Sequence, residues 1–265
     1  MPEGHTIHRY ARLHRTALAG NVVGVSSPQG RFADDAAILD GRVVEDVDAR
    51  GKHLFYRWQD DLTLHVHLGL FGRFRTHRAV PPPDPTPGTR MALRSGDTTI
   101  YLSGPTDCRI IDADEERSIV ERLGPDPLAD GTADAFTANL GRRKVGIGAA
   151  LLDQRAVAGI GNVYRAEGLF LEGIHPDTPA RDIDDERARR LWHRLAVLLR
   201  AGERAGRIVT VDPAEVGAAS ARDLPREERL YVYQRAGEPC RRCGTDIRRW
   251  ESAGRKIWAC ERCQA

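Results

Sequence analysis

The 265-residue sequence predicts a multidomain α+β chain: a β-rich N-terminal half folded as a sandwich or flattened barrel with flanking helices, a helical middle, and a short cysteine hairpin at the C-terminus. Three observations predict it. Short β-type runs separated by Gly, Asp and Pro fill the region from residue 22 to residue 102. Helical periodicity dominates after the Pro- and Gly-dense stretch Leu123–Thr132. Four of the five cysteines fall within the last 26 residues. The length suits two domains with a smaller appendage. Hydrophobic residues at 41% and charged residues at 29% can build a core, and no apolar run of about 18 residues exists. A disordered chain and a helical membrane protein are therefore excluded. The opening MPEGHT does not read as a secretory signal, so a cytoplasmic location is expected.

In order along the chain, Ile7, Tyr10, Ala11, His14, Ala17 and Leu18 recur at helical spacing and Gly20 supplies a stop, giving a helix over residues 4–19. Strands follow at Val22–Val25, Arg42–Val47, His53–Trp58, Leu62–Leu68, Met91–Leu93 and Thr99–Leu102. Five prolines between Pro81 and Pro87 forbid a regular element there and mark a surface loop. Beyond the hinge at Leu123–Thr132, helices are expected at Ala135–Leu140, Ile147–Gln154, Asn162–Glu172 and Asp185–Ala205. The last presents Leu191, Leu195, Leu198 and Leu199 on one face. A polar stretch from Asp212 to Arg229 leads into the cysteines, and Arg248–Ile257 is expected as a hairpin with Gly254-Arg255 near its tip.

The formal net charge is only +2, but residues 226–265 carry ten Lys/Arg against six Asp/Glu. Cys240-x2-Cys243-x16-Cys260-x2-Cys263 has the spacing of two knuckles that bring four thiolates around one tetrahedral Zn²⁺. So short a tail buries little core, so the metal would supply folding free energy, and four protein ligands would make it structural. Two disulfides are the competing reading, which a reducing compartment argues against. Cys108 stands outside the set and reads as a small buried residue rather than a nucleophile.

A proline at position 2 is commonly exposed by removal of the initiator methionine, leaving a secondary amine. An α-amino group has a reference pKa of about 7.7 to 8.0, and a helix starting just behind it lowers that further. Pro2 is thus a candidate nucleophile, with Glu3 beside it as acid/base. Many chains begin Met-Pro-Glu without such chemistry. Lys52 in Gly51-Lys52-His53 and the turn Gly159-Ile160-Gly161-Asn162 could hold phosphate, or be ordinary turn residues. In His67–Gly72, glycines flank Leu70 and Phe71, which fits an exposed apolar wedge, although Leu70 also continues the alternation of Leu64, Val66 and Leu68.

Taken together, MPEGHT, GKHL at 51–54, HLGLFG at 67–72, AGIGNVYRAE at 158–167 and the four-cysteine tail resemble the formamidopyrimidine-DNA glycosylase and endonuclease VIII family of base-excision repair enzymes. The resemblance spans essentially the whole chain. It implies an N-terminal catalytic β-sandwich domain over 1–127, a helix-two-turn-helix DNA-binding domain over 128–225 and a zinc finger over 226–265. It implies that Pro2 attacks C1′ of the damaged nucleotide to form a Schiff base, that Glu3 manages proton transfers, and that the strand is cut by β and δ elimination. Lys52, with a part in catalysis as well, Asn162 and Arg255 would grip phosphates. Leu70 and Phe71 would fill the gap left by the extruded base. Glu167, counted with the DNA-contacting set, would help to order the site.

Two departures matter. Thr6 stands where many relatives have a second glutamate, and Ser103–Asp112 lacks the Arg-x-Phe type loop of formamidopyrimidine glycosylases. No catalytic role is carried onto Thr6. The opening Pro-Glu-Gly and the Gly-Leu-Phe tip look more like the endonuclease VIII branch, which implies a monomeric bifunctional glycosylase/AP lyase acting on oxidised pyrimidines in duplex DNA, without a membrane partner. The purine branch, excising 8-oxoguanine and formamidopyrimidines, is the enzymatic alternative. A zinc-ribbon protein that binds damaged or abasic DNA without cutting it is the alternative of another class.

Overall fold

The computed structural model describes residues 2–252 and 254–264. The chain divides into two compact units between Glu121 and Arg122. In the first, helix α1 (Gly4–Leu18) buries Ile7, Ala11, His14 and Leu18, the i, i+4, i+7, i+11 stripe of an amphipathic helix. It is followed by β1 (Val22–Ser26), α2 (Ala33–Leu39), β2 (Arg42–Arg50), β3 (His53–Trp58), β4 (Leu62–His67), β5 (Arg73–Arg78), β6 (Thr89–Ser95), β7 (Thr98–Ser103), β8 (Asp107–Ile111) and α3 (Ala113–Glu121).

The strands run in the order β5-β7-β6-β1-β2-β3-β4-β8, all neighbours antiparallel. β1 and β2 meet through only Val22↔Val43 and Val23↔Arg42, so this seam divides the order into two four-stranded halves. Both halves feed one core, Val23, Met91, Leu93, Ile100 and Leu102 from one and Val47, Leu54, Tyr56, Trp58, Leu64 and Val66 from the other, which makes the unit a β-sandwich. Alternation along β3 sends Phe55 to the opposite face, where it packs with Ile111 and Ile119 under α3.

The second unit holds α4 (Ala133–Gly141), α5 (Ile147–Ala150), α6 (Asn162–Leu171), α7 (Asp185–Ala205) and the antiparallel hairpin β9 (Arg248–Ser252) and β10 (Arg255–Ala259). α7 begins where the Asp184 carboxylate accepts from the Arg187 N–H and ends at Gly206 with φ +69°, the left-handed conformation that glycine takes without strain. Leu191, Leu195, Leu198 and Leu199 are all buried, as their spacing predicts. Among the described residues no helix is long and apolar enough to cross a membrane.

The sequence reading needs correction in places. The helix expected over Ile147–Gln154 stops at Ala150, because Asp153 turns back to accept from the Arg155 N–H and Gln154 accepts from the Gly159 N–H. Four elements, α2, β5, β8 and α3, were not expected. β5 is an edge strand whose one buried side chain, Phe74, gives no alternation to read. Arg248–Ser252 and Arg255–Ala259 form the expected hairpin, with Gly254 at φ +70° in its turn and Ala253 outside the described residues.

Candidate active site

α1 runs against the direction of β2. Its C-terminal end bridges Ala19 to Val44, and four residues before Leu18 the buried His14 Nδ1 lies 2.7 Å from the hydroxyl of Tyr56, which pairs with Val47. The 15-residue helix covers about 22 Å. The strand from Val44 to its turn covers about the same. The Pro2–Glu3 end of the helix therefore lies toward the Gly51–Lys52 turn. That turn is made by Gly51 at φ +58°. β4 pairs His67 with His53 and so ends at the same edge, where the chain leads into Leu68–Gly72. The sandwich thus gathers Pro2, Glu3, Lys52, Leu70 and Phe71 toward one end.

Glu3 is the N-cap residue of α1: its backbone carbonyl accepts from Thr6 N–H at 2.9 Å and Ile7 N–H at 3.3 Å. Pro2 therefore stands immediately outside the positive end of the helix. The Glu3 residue is fully buried and Pro2 half-buried. Beside them His5 is buried, and desolvation pushes its pKa down to about 4, so it is neutral at physiological pH. Thr6, the departure from the family pattern, has its hydroxyl 3.1 Å from His5 Nε2. Cys108 is a buried thiol whose pKa desolvation raises to about 12, an inert core residue as the sequence suggested.

The Leu68–Gly72 turn is built by glycine. A Cβ on Gly69 would fall 1.8 Å from Thr106 Oγ1 and one on Gly72 would fall 2.3 Å from the Leu68 carbonyl oxygen. Gly72 N–H donates to Leu68 O, and Thr106 N–H to His67 O, both at 2.9 Å. The tip is thereby fixed with Leu70 half exposed and Phe71 84% exposed, while Leu68 stays in the core. The ambiguity in the alternation is resolved: Leu70 is outside it.

In the second unit, α6 begins at Asn162 behind a Gly161 N-cap, and Gly159 takes φ +85° to make the turn. Asn162 is half-buried at this helix N-terminus. Glu167, five residues along, is not a surface group: it is fully buried, and its carboxylate accepts from Tyr231 N–H at 2.7 Å, Val232 N–H at 2.9 Å and Tyr233 N–H at 2.8 Å, and from the Thr210 hydroxyl. It orders the segment that enters the cysteine module. Arg165 was missed by the sequence reading. It too is fully buried, and its guanidinium donates to Gly148 O at 3.4 Å and to Lys256 O at 2.6 Å, tying α6 and α5 to β10. Arg255, the residue before that carbonyl, is exposed at the start of β10.

Cys240, Cys243, Cys260 and Cys263 converge, with all four sulfurs within 4.8 Å of one another. Cys240 and Cys263 Sγ are 3.9 Å apart, and Cys243 and Cys260 Sγ are 3.4 Å apart. Thiolates at 2.3 Å from a tetrahedral Zn²⁺ stand about 3.8 Å from each other, whereas a disulfide needs about 2.05 Å. The donor set fits one tetrahedral ion and no disulfide. Around it Ile247, Trp258 and Tyr231 pack with Phe170 of α6. Gln264, fully buried, donates to Ile174 O and accepts from Cys260 N–H, both at 2.9 Å.

The comparisons with known proteins agree with this geometry. Residues 1–109 match the formamidopyrimidine-DNA glycosylase N-terminal domain, and residues 123–212 match the formamidopyrimidine-DNA glycosylase H2TH domain. The chain is 45% identical over 270 residues to "Endonuclease 8 1" of Mycobacterium tuberculosis, covering the whole of both chains. It is 35% identical to the formamidopyrimidine-DNA glycosylase of Thermus thermophilus, covering all of this chain and 97% of that one. The crystal structure of the MutM (Fpg) protein from Thermus thermophilus superposes with a TM-score of 0.79 at 32% identity, over 99% of this chain and 98% of that one. A Lactococcus lactis Fpg in complex with abasic-site DNA shares the fold at a TM-score of 0.81 and 23% identity, over 99% of each chain.

Proposed function

The chain belongs to the formamidopyrimidine-DNA glycosylase family of DNA-repair glycosylases, and from that premise we propose that it is a bifunctional DNA glycosylase and AP lyase that removes oxidised pyrimidines from duplex DNA. The observation that carries this reading is that Pro2 stands immediately outside the α1 N-terminus with the buried Glu3 as the N-cap next to it.

Freed of its initiator methionine, Pro2 attacks C1′ with its amine lone pair. The glycosidic bond breaks, the damaged base leaves with the bonding electrons and a proton, and the sugar opens to an iminium linked to Pro2. Glu3, buried and so sensitive to charge, supplies and recovers the protons of ring opening. The iminium acidifies the adjacent C2′–H, so its loss expels the 3′ phosphate, and a second elimination expels the 5′ phosphate. Water then hydrolyses the imine and returns Pro2. Lys52 in one unit and Asn162 and Arg255 in the other hold backbone phosphates, and Leu70 and Phe71 occupy the stack vacated by the flipped nucleotide. A Zn²⁺ on Cys240, Cys243, Cys260 and Cys263 has four protein ligands and no open position. Its contribution is to fold the tail that carries Arg255.

The pyrimidine preference rests on the Leu70–Phe71 tip, on the short Gly104–Thr106 turn opposite it and on the likeness to an endonuclease 8. The purine reading draws on the 35% identity to a formamidopyrimidine-DNA glycosylase. Duplexes carrying thymine glycol, 8-oxoguanine or an abasic site, incubated with the purified protein and resolved on denaturing gels, test both. Cleavage of the abasic and thymine glycol strands at rates at least tenfold above the 8-oxoguanine strand is expected. Faster release of 8-oxoguanine transfers the chain to the purine branch, and failure to nick abasic DNA leaves a non-catalytic binder.

A further inference from the structure

The two halves of the sandwich treat their arginines differently. On the β2-β3-β4-β8 half, Arg57 is held by Asp48 and Glu116, and Arg109 by Asp107 and Glu115. On the other half, residues 73–103 carry Arg73, Arg75, Arg78, Arg90 and Arg94 against only Asp84 and Asp97. Both aspartates lie between strands, so β5, β6 and β7 hold five arginines and no carboxylate. Among the described residues, none of these five arginines takes part in an ion pair.

Alternation sets the face. Phe74 of β5, Met91 and Leu93 of β6, and Ile100 and Leu102 of β7 point into the core. Arg73 and Arg75 therefore stand on the opposite face, exposed, with Ser103 and Tyr101 as their partners on β7 and with Arg94, also exposed, two strands away on β6. Arg90 is half-buried and donates to Gln29 Oε1 at 3.1 Å. Asp40 borders this face beside Gly24 of β1, where it accepts from the Val25 N–H at 2.7 Å. Charge on an edge strand has a plainer use, the prevention of edge-to-edge pairing. Either sign serves that use, and only the edge needs it. Here the sign is uniform, and it continues onto β6, an interior strand. Arg73 also follows the exposed Phe71 by two residues, and Arg75 stands about 7 Å further along the strand. A guanidinium is always charged, weakly hydrated and shaped to clasp a phosphate.

We propose that Arg73 and Arg75 form a backbone track that leads away from the Leu70–Phe71 tip and binds two phosphodiesters of the duplex flanking the lesion, with Arg90 and Arg94 adding to its positive field. The track touches phosphate alone, so it reads neither sequence nor damage. The inference rests on the reading of the chain as a glycosylase whose tip faces DNA.

Anisotropy titrations across a range of salt test it, on a duplex carrying a tetrahydrofuran abasic analogue and on an undamaged duplex of the same length. In the double variant Arg73→Gln/Arg75→Gln the salt slope of affinity should shrink by about two phosphate contacts on both duplexes, with the unfolding midpoint of the wild type. Arg73→Lys/Arg75→Lys should restore the slope, because counterion release follows charge. Arg117→Gln, which removes an exposed arginine paired with Asp114 on α3, should leave it unchanged. Ethylation interference should show two phosphates beside the lesion whose signal disappears in the glutamine variant and returns in the lysine variant. A wild-type slope in the glutamine variant overturns the proposal and keeps the DNA reading; if that variant also self-associates in sedimentation, the arginines protect the sheet edge instead. A slope that shrinks on the abasic duplex alone also overturns it, since the contact would then depend on damage. A wild type that binds neither duplex removes the track and the glycosylase reading together.

Discussion

Behind the site residues of the sandwich the support is apolar: Leu54, Tyr56, Trp58, Leu64 and Val66 are all fully buried in one continuous core under α1. Behind Arg255 the support is polar and sulfurous: four cysteines, the Glu167 carboxylate on three backbone N–H groups, the Arg165 guanidinium on the Lys256 carbonyl, and buried Gln264. Apolar packing is distributed, so any one side chain can be lost at moderate cost. A ligated and hydrogen-bonded tail concentrates its stability in a few groups whose removal strands the rest, because an unsatisfied buried polar group costs about 1–3 kcal/mol by itself.

The contrast is broken or sharpened by substitution. The largest effect is expected from Cys240→Ser. Structural zinc binding supplies on the order of 10 kcal/mol to a small module. Loss of one thiolate should therefore release the metal and unfold the β9–β10 hairpin. Metal analysis should fall from one zinc per chain toward none and hydrogen exchange should become fast over residues 235–264, while β3 and β4 keep their protection. Leu54→Ala should cost about 2–5 kcal/mol, read as a lower denaturant midpoint, with zinc content unchanged. Release of zinc by Leu54→Ala would erase the distinction. The smallest effect belongs to Arg255→Ala, an exposed residue: zinc and stability should stay as in the wild type. Its salt slope for lesion-duplex binding should shrink by about one phosphate contact, measured by anisotropy titrations.

What the sequence made legible follows the same division. The α1 and α7 stripes, the β3 and β4 alternation and the cysteine spacing are periodic or combinatorial signals, and each element lies where it was expected. The exposed Leu70–Phe71 tip was half legible: the flanking glycines suggested it, and only the Thr106 side chain against Gly69 shows the turn to be braced. Arg165 and Gln264 were invisible, since polar residues on a helix or in a tail read as solvated, and their partners are main-chain groups 91 and 90 residues away. The contact of His53 Nδ1 with His65 Nε2 was hidden for a related reason: the two residues lie on adjacent strands in a register that the sequence does not state.

The central claim is that the amine of Pro2 is the nucleophile. Borohydride added during turnover on abasic duplex reduces an iminium to a stable amine, and mass spectrometry of the digested adduct locates it. The account predicts a single DNA-bound peptide beginning at Pro2, and no adduct or strand cleavage from protein that retains Met1. An adduct mapped to Lys52 or another lysine, or full lyase activity in the Met1-blocked protein, would contradict it.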